Sequence, residues 1–188
     1  MERKHNSAAK LSLFVSFLFV LQFRWILAET YEKIDNCSCR KSNGKVISLR
    51  EIDGPSGPAF KGIPTKAPYH TTLVFDWNPC TKFSEGSSCI DLLICQKFSL
   101  SPENTFPCGD TVGSFEVNSE GNTVMNYEPV VDATGYKRTF KITLKCDPGK
   151  FPGYTDGVTE VYTPLTSEYS MTFSSKCACD DGCFKQSS

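Results

Sequence analysis

The sequence predicts an all-β sandwich or barrel held together by disulfides. Three observations carry that expectation. Short segments alternate apolar and polar residues, turn residues divide them with no convincing helical period, and ten cysteines follow an apolar leader. A period of two sends successive side chains to opposite faces of a strand, so alternation marks a strand with one buried side. Several such strands with turns between them define sandwiches and barrels.

The leader comes first. Arg3, Lys4 and Lys10 give a basic start, residues 11–23 are apolar apart from Ser12, Ser16 and Gln22, and Ala28 is a small residue before Glu29. Basic, then apolar, then small is the layout of a secretory signal. A membrane anchor needs roughly 18 or more apolar residues, whereas this run is shorter and is closely followed by Arg24. Residues 1–28 are expected to be a cleaved signal peptide and 29–188 one domain. That domain is expected to be secreted, or to sit in the lumen of the secretory or endolysosomal pathway, with no membrane span. The chain carries 20 basic and 21 acidic residues, and loss of the leader removes four of the former and one of the latter. A mildly acidic domain without a basic stripe offers no electrostatic reason to bind nucleic acid.

All ten cysteines, at 37, 39, 80, 89, 95, 108, 146, 177, 179 and 183, follow the leader. An even count on an exported chain reads as disulfides. Zinc is the rival, because Cys37 and Cys39, and Cys177, Cys179 and Cys183, are closely spaced. Structural zinc prefers matched pairs of thiols or histidines, and after the leader His70 is the single histidine. No metal and no cofactor are expected. Asn36-Cys37-Ser38 is an N-glycosylation acceptor.

Along the chain, the Gly- and Pro-rich stretch 54–68 reads as a loop. Strands are expected at 71–77, 90–98, 114–117, 123–127, 136–146, 159–163 and 169–175, with a hairpin turn at 118–122. In 136–146 one face is Lys137, Thr139, Lys141, Thr143 and Lys145, which is solvated. The other is Arg138, Phe140, Ile142 and Leu144, a core face carrying an arginine. In 90–98, Gln96 shares a face with Ile90, Leu92, Ile94 and Phe98. Tyr169 aligns with Met171 and Phe173, and Glu160 with Val158 and Tyr162.

A buried charge without a partner costs several kcal/mol or more, and an unsatisfied amide roughly 1–3. Glu160 is therefore the natural partner for Arg138. Guanidinium, carboxylate and amide groups meet adjacent hydroxyls two at a time, which suits a sugar ring. The plainer reading is that these four residues stand near strand ends and reach water.

The order of motifs resembles the mannose-6-phosphate receptor homology (MRH) family over essentially the whole domain. The opening Asn36-Cys37-Ser38-Cys39 and Gly44-Lys45-Val46-Ile47-Ser48-Leu49 are similar to the family's first cysteine and short strand. Val74 to Cys80 resembles its strand ending in Asn-Pro-Cys, and Cys89 to Cys95-Gln96 its next disulfide loop. Arg138 to Cys146 resembles its arginine strand, and Tyr169, Ser174-Ser175 and Cys177-Ala178-Cys179 its finish. The resemblance implies a flattened antiparallel β-barrel or sandwich of two crossed sheets. It implies a lectin without catalytic residues that binds terminal mannose, or mannose 6-phosphate, on N-glycans of glycoproteins. By position the mannose-binding roles fall on Gln96, Arg138, Glu160 and Tyr169. Glu168 is a rival to Glu160, but its neighbour Tyr169 takes the opposite face. The implied disulfides are Cys37 or Cys39 with Cys80, Cys89 with Cys95, and Cys146 with Cys179. Cys108, Cys177, Cys183 and the remaining one of Cys37 and Cys39 have no settled partner. The sequence departs from the family's cation-dependent receptors at 128–135, which has neither cysteine nor histidine and only Asp132 as a candidate phosphate-side or metal-side residue.

Two other functions compete. One is an MRH-fold interaction module, such as a subunit of a glycan-processing complex. The other is an enzyme, against which the absence of a G-x-S-x-G, a P-loop and a His-based triad counts. A glycosidase needs two carboxylates about 5–10 Å apart, and the sequence shows no good companion for Glu160.

Overall fold

A computed structural model describes residues 30–66 and 72–184. The expected signal peptide, His70 and the first residue of the predicted strand 71–77 lie outside the described residues. The strands run β1 (Tyr31–Asp35), β2 (Ser38–Lys41), β3 (Val46–Ser48), β4 (Phe60–Pro64), β5 (Leu73–Trp77), β6 (Phe83–Glu85), β7 (Cys89–Leu92) and β8 (Ile94–Phe98). They continue as β9 (Ser101–Gly109), β10 (Val112–Val117), β11 (Thr123–Tyr127), β12 (Val130–Val131), β13 (Lys137–Cys146), β14 (Tyr154–Thr155), β15 (Thr159–Thr163) and β16 (Thr166–Ser175). The protein is all-β, as its alternation predicts. No helix among the described residues is long and apolar enough to cross a membrane.

Two sheets build the body. One has the order β4-β5-β8-β9; the other runs β10-β11-β13-β16-β14, with β12 on β13 and β15 on β16. Aromatic side chains interlock between them. Phe75 of β5 lies 5.7 Å from Phe140 of β13 and 5.2 Å from Tyr169 of β16. Trp77 meets Phe173 at 5.0 Å and donates its indole N–H to Tyr127 Oη at 3.0 Å. Offset and edge-on pairs of this kind add to the burial of large rings. Smaller sheets, β1-β2-β3 and β6-β7, flank this core.

The architecture corrects the expected one at several points. The sheets number four rather than two, and no barrel closes among the described residues. The antiparallel expectation fails at the centre, where β13 and β16 pair in parallel over ten residues. Parallel neighbours need a long connection, and residues 147–165 supply it, adding β14 and β15 to the far side of β16. The stretch 54–68 is not all loop, because it contains β4. That strand tolerates its proline by lying at a sheet edge, and its register shifts between Phe60 and Ile63, where Gly62 has φ +64°. The strand expected at 90–98 is broken in two. Asp91 adopts φ 55° and Ile90 turns out to solvent, 61 % exposed, so Ile90 leaves the core face on which alternation put it. The hairpin at 118–122 forms as expected. Asn118 Oδ1 accepts the N–H groups of Glu120 and Asn122, and Gly121 takes φ +81°.

Four disulfides join Cys37 to Cys80, Cys89 to Cys95, Cys146 to Cys179 and Cys177 to Cys183. Of the cysteines left without a settled partner, Cys177 and Cys183 bond to each other, while Cys39 and Cys108 are buried thiols, so the reading of an even count as disulfides holds for eight of the ten. Cys39 and Cys108 stand in different sheets, and burial pushes each thiol up to about 12, which keeps both protonated. Asn36, the glycosylation acceptor, is half-buried, and its Oδ1 accepts the Val112 N–H at 3.3 Å. Ser38 is buried against Ser48 at 3.0 Å.

Candidate functional site

Gln96, Arg138, Glu160 and Tyr169 line one cavity of about 370 Å³ between the two large sheets. Strand register explains the convergence. β16 lies between β13 and β15, so Arg138 stands beside Ser167, while Phe140 and Glu160 flank Tyr169. Ser167 and Tyr169 are two apart and share a face. From the opposite sheet β8 presents Gln96, paired in register with Phe106 of β9. Gln96, Arg138 and Tyr169 are buried, and Glu160 is the one half-buried residue of β15. Glu168 is exposed and is not part of the cavity wall.

Arg138 does not pair with Glu160. Its Nη1 donates to Asp132 Oδ2 at 2.9 Å. The reason is local: the turn between β12 and β13 folds Asp132 back over the start of the arginine strand. Asp132 Oδ1 accepts the Thr134 N–H at 2.9 Å, the Thr134 hydroxyl at 2.6 Å and the Tyr136 N–H at 3.1 Å. The Thr134 hydroxyl and Arg138 hold the Asp132 carboxyl well below the usual carboxylate range. Burial is the largest single influence on Arg138 and opposes its charge, the Asp132 hydrogen bond and the surrounding groups favour it, and the guanidinium stands above its ordinary pKa. Two rings lie close to that guanidinium, Tyr136 at 4.7 Å and Phe106 at 5.4 Å.

Glu160 is held from the other side. Ser167 donates to Glu160 Oε1 at 2.6 Å, and the Tyr136 hydroxyl lies 2.7 Å from Ser167 Oγ. A serine has one proton to give, so Tyr136 donates to Ser167 and Ser167 to Glu160. Tyr169 donates to Gln96 Oε1 at 3.4 Å, and burial raises its phenol pKa above the ordinary value.

Three buried atoms of this set have no protein partner: Gln96 Nε2, Arg138 Nε and Glu160 Oε2. Two are donors and one is an acceptor. An unsatisfied buried polar atom costs about 1–3 kcal/mol, so three on residues that line one cavity form a costly arrangement. A pair of neighbouring hydroxyls offers the complement, oxygens for the N–H groups and a proton for the carboxylate.

Tyr136, Ser167 and Phe106 escaped the sequence reading. Tyr136 and Ser167 had a signal, since each stands two residues before a chosen residue on the same face. Phe106 had none, because its position depends on pairing with β8 from a strand whose polar start hides it. Asp132 is recovered in a different role, as the partner of Arg138. The cavity also contains a second carboxylate beside Glu160 after all, although every oxygen of Asp132 is already engaged. Of the closely spaced cysteines, Cys177 and Cys183 cluster with Glu51 but are bonded to each other, Cys37 and Cys179 are bridged to Cys80 and Cys146, and Cys39 is a free thiol.

Fold and site together define an all-β, disulfide-braced protein with a partly polar cavity between two sheets. No family model matches the chain, and no curated protein matches it.

Proposed function

We propose that this protein is a lectin of the MRH type that binds terminal mannose of N-glycans without turning it over. Gln96 and Arg138 hold the axial 2-hydroxyl, Arg138 and Glu160 the 3-hydroxyl, and Glu160 and Tyr169 the 4-hydroxyl. The observation that carries this reading is that Gln96, Arg138 and Glu160, each with one buried side-chain atom that has no protein partner, line the same cavity. Their donor and acceptor pattern suits a vicinal diol, and each has something to gain from one. Four disulfides fit an extracellular or lumenal compartment.

A glycan array tests the proposal. Mannose-terminated glycans should give selective signal that is lost in Arg138→Ala. A silent array with a folded protein would sink it, and release of mannose from a mannoside would replace it with catalysis. A second reading, an interaction module on the same scaffold, draws support from the hairpin beside the cavity. There Val161 is 60 % and Leu165 72 % exposed, apolar area that protein contact would cover. Binding of a glycoprotein that survives both Arg138→Ala and enzymatic removal of its glycans would favour that reading.

A further inference from the structure

We propose that the cavity selects an uncharged hexose and rejects its phosphate monoester, with Asp132 as the residue that sets this selectivity. The inference rests on the cavity being a sugar site. It reverses the sequence expectation that Asp132 stands on the phosphate side.

The charge inventory carries the argument. Among the described residues lining the cavity, Arg138 is the one cation, against the carboxylates Asp132 and Glu160. A phosphate monoester brings about −1.5 to −2 charges at neutral pH, into a wall that is already net negative. The Arg138 charge is already set against Asp132, to which its Nη1 donates at 2.9 Å, so the Glu160 carboxylate is left without a cation of its own on the wall. The two lysines next in sequence to lining residues do not make up the difference. Lys97 follows Gln96 but donates to Asp76 at 2.7 Å and to Glu85. Lys137 precedes Arg138 and is exposed on the opposite face of β13.

Nor does Asp132 offer a ready seat for a bridging divalent cation. Its Oδ1 already accepts three hydrogen bonds, and its Oδ2 accepts the one from Arg138, so a cation at Oδ2 would share that oxygen with the guanidinium. A metal there would stand next to the Arg138 guanidinium, and the two positive charges would repel. The same hydrogen bonds keep Asp132 ionised, so its repulsion persists in acidic compartments. In a partly buried site such like-charge repulsion is only weakly screened by salt.

Isothermal titration calorimetry of the mature, oxidised protein with methyl α-mannoside and with mannose 6-phosphate tests this. The native protein should prefer the mannoside at least tenfold, in EDTA and in Mn²⁺ alike. Asp132→Asn should shrink the preference below threefold. Thr134→Lys, which adds an ammonium at the rim, should shrink it as well, independently of any loss of stability in the first variant. The ratio is the readout, so a common loss of affinity does not obscure it. Equal or tighter binding of the phosphate by the native protein overturns the selectivity while leaving the sugar site standing. So does Mn²⁺-dependent phosphate binding, or a tenfold preference retained in both variants. Binding of neither ligand overturns the sugar site itself, and this inference with it.

Discussion

Gln96 shows how function is written against stability at a single residue. Its Nε2 is buried without a partner, a state that costs about 1–3 kcal/mol. Gln96→Met keeps the volume and removes the orphan donor, at the expense of a long contact from Tyr169. We expect a melting temperature no lower than that of the native protein together with loss of mannoside binding, checked by calorimetry of both. A clear fall in melting temperature would mean that Gln96 is there for the fold. Tyr136 is the complementary case, since its ring packs on Arg138 while its hydroxyl reaches Glu160 through Ser167. Tyr136→Phe keeps the ring and drops one hydrogen bond, so affinity should fall by about 1 kcal/mol, roughly fivefold. Tyr136→Ala should lose substantially more, and equal losses in the two variants would remove the stacking from the account.

Asp132 gives a pH dependence with a definite sign. Its carboxyl is held below the usual range by Thr134 and Arg138. A lowered carboxylate pKa contributes stability that is fully present above the unfolded value, about 3.9, and is lost as pH falls toward the folded value. The gap in melting temperature between native protein and Asp132→Asn should therefore be level from neutrality to about pH 5 and narrow below about pH 4. A gap that closes already between pH 7 and 5 would place the proton elsewhere.

At the scale of elements, β16 is the organiser. It accepts β13 on one side and β14 and β15 on the other, and so sets Arg138 and Glu160 about one shared row of side chains. A slip of one residue in any of these pairings would turn the polar set to the opposite face. The flanking sheet is fastened differently. Cys37–Cys80 ties β1-β2-β3 to the end of β5 across a separation of 43 residues. Loop-closure entropy for a bridge of that span is worth about 4 kcal/mol. Cys37→Ser with Cys80→Ser should lower unfolding stability by about 3–4 kcal/mol in urea titration. The Cys89–Cys95 bridge spans only six residues, and its removal should cost less, about 2 kcal/mol. Equal losses would show that strain or packing, rather than chain entropy, governs both.

At the scale of the molecule, the core and the site share their walls. Tyr169 belongs to both: its ring packs between Phe75 and Phe140, and its hydroxyl meets Gln96. The fold class and four of the cavity's polar residues were legible because alternation reports burial one strand at a time. A polar residue on an apolar face stands out without any knowledge of its neighbours. Arg138, Gln96 and Tyr169 were found that way, and Glu160 with less security because the apolar Val161 points away from it, in a strand that the structure leaves mostly exposed. Partnership was not legible. Arg138 chose Asp132, six residues back along its own turn, over Glu160 on another strand. Strand β4 hid behind glycine and proline, and β9 behind polar residues at its start.

The amino-acid sequence on its own determined that the chain is all-β, where its clearly alternating strands run and which polar side chains stand on their apolar faces, because these follow from local periodicity and from the cost of burying charge. Only the tertiary structure decided that β13 and β16 run parallel, which cysteines remain free, and which groups around Arg138 are satisfied and which are left open. Those outcomes depend on pairings between distant strands, and a pattern confined to one strand carries no information about the strand beside it.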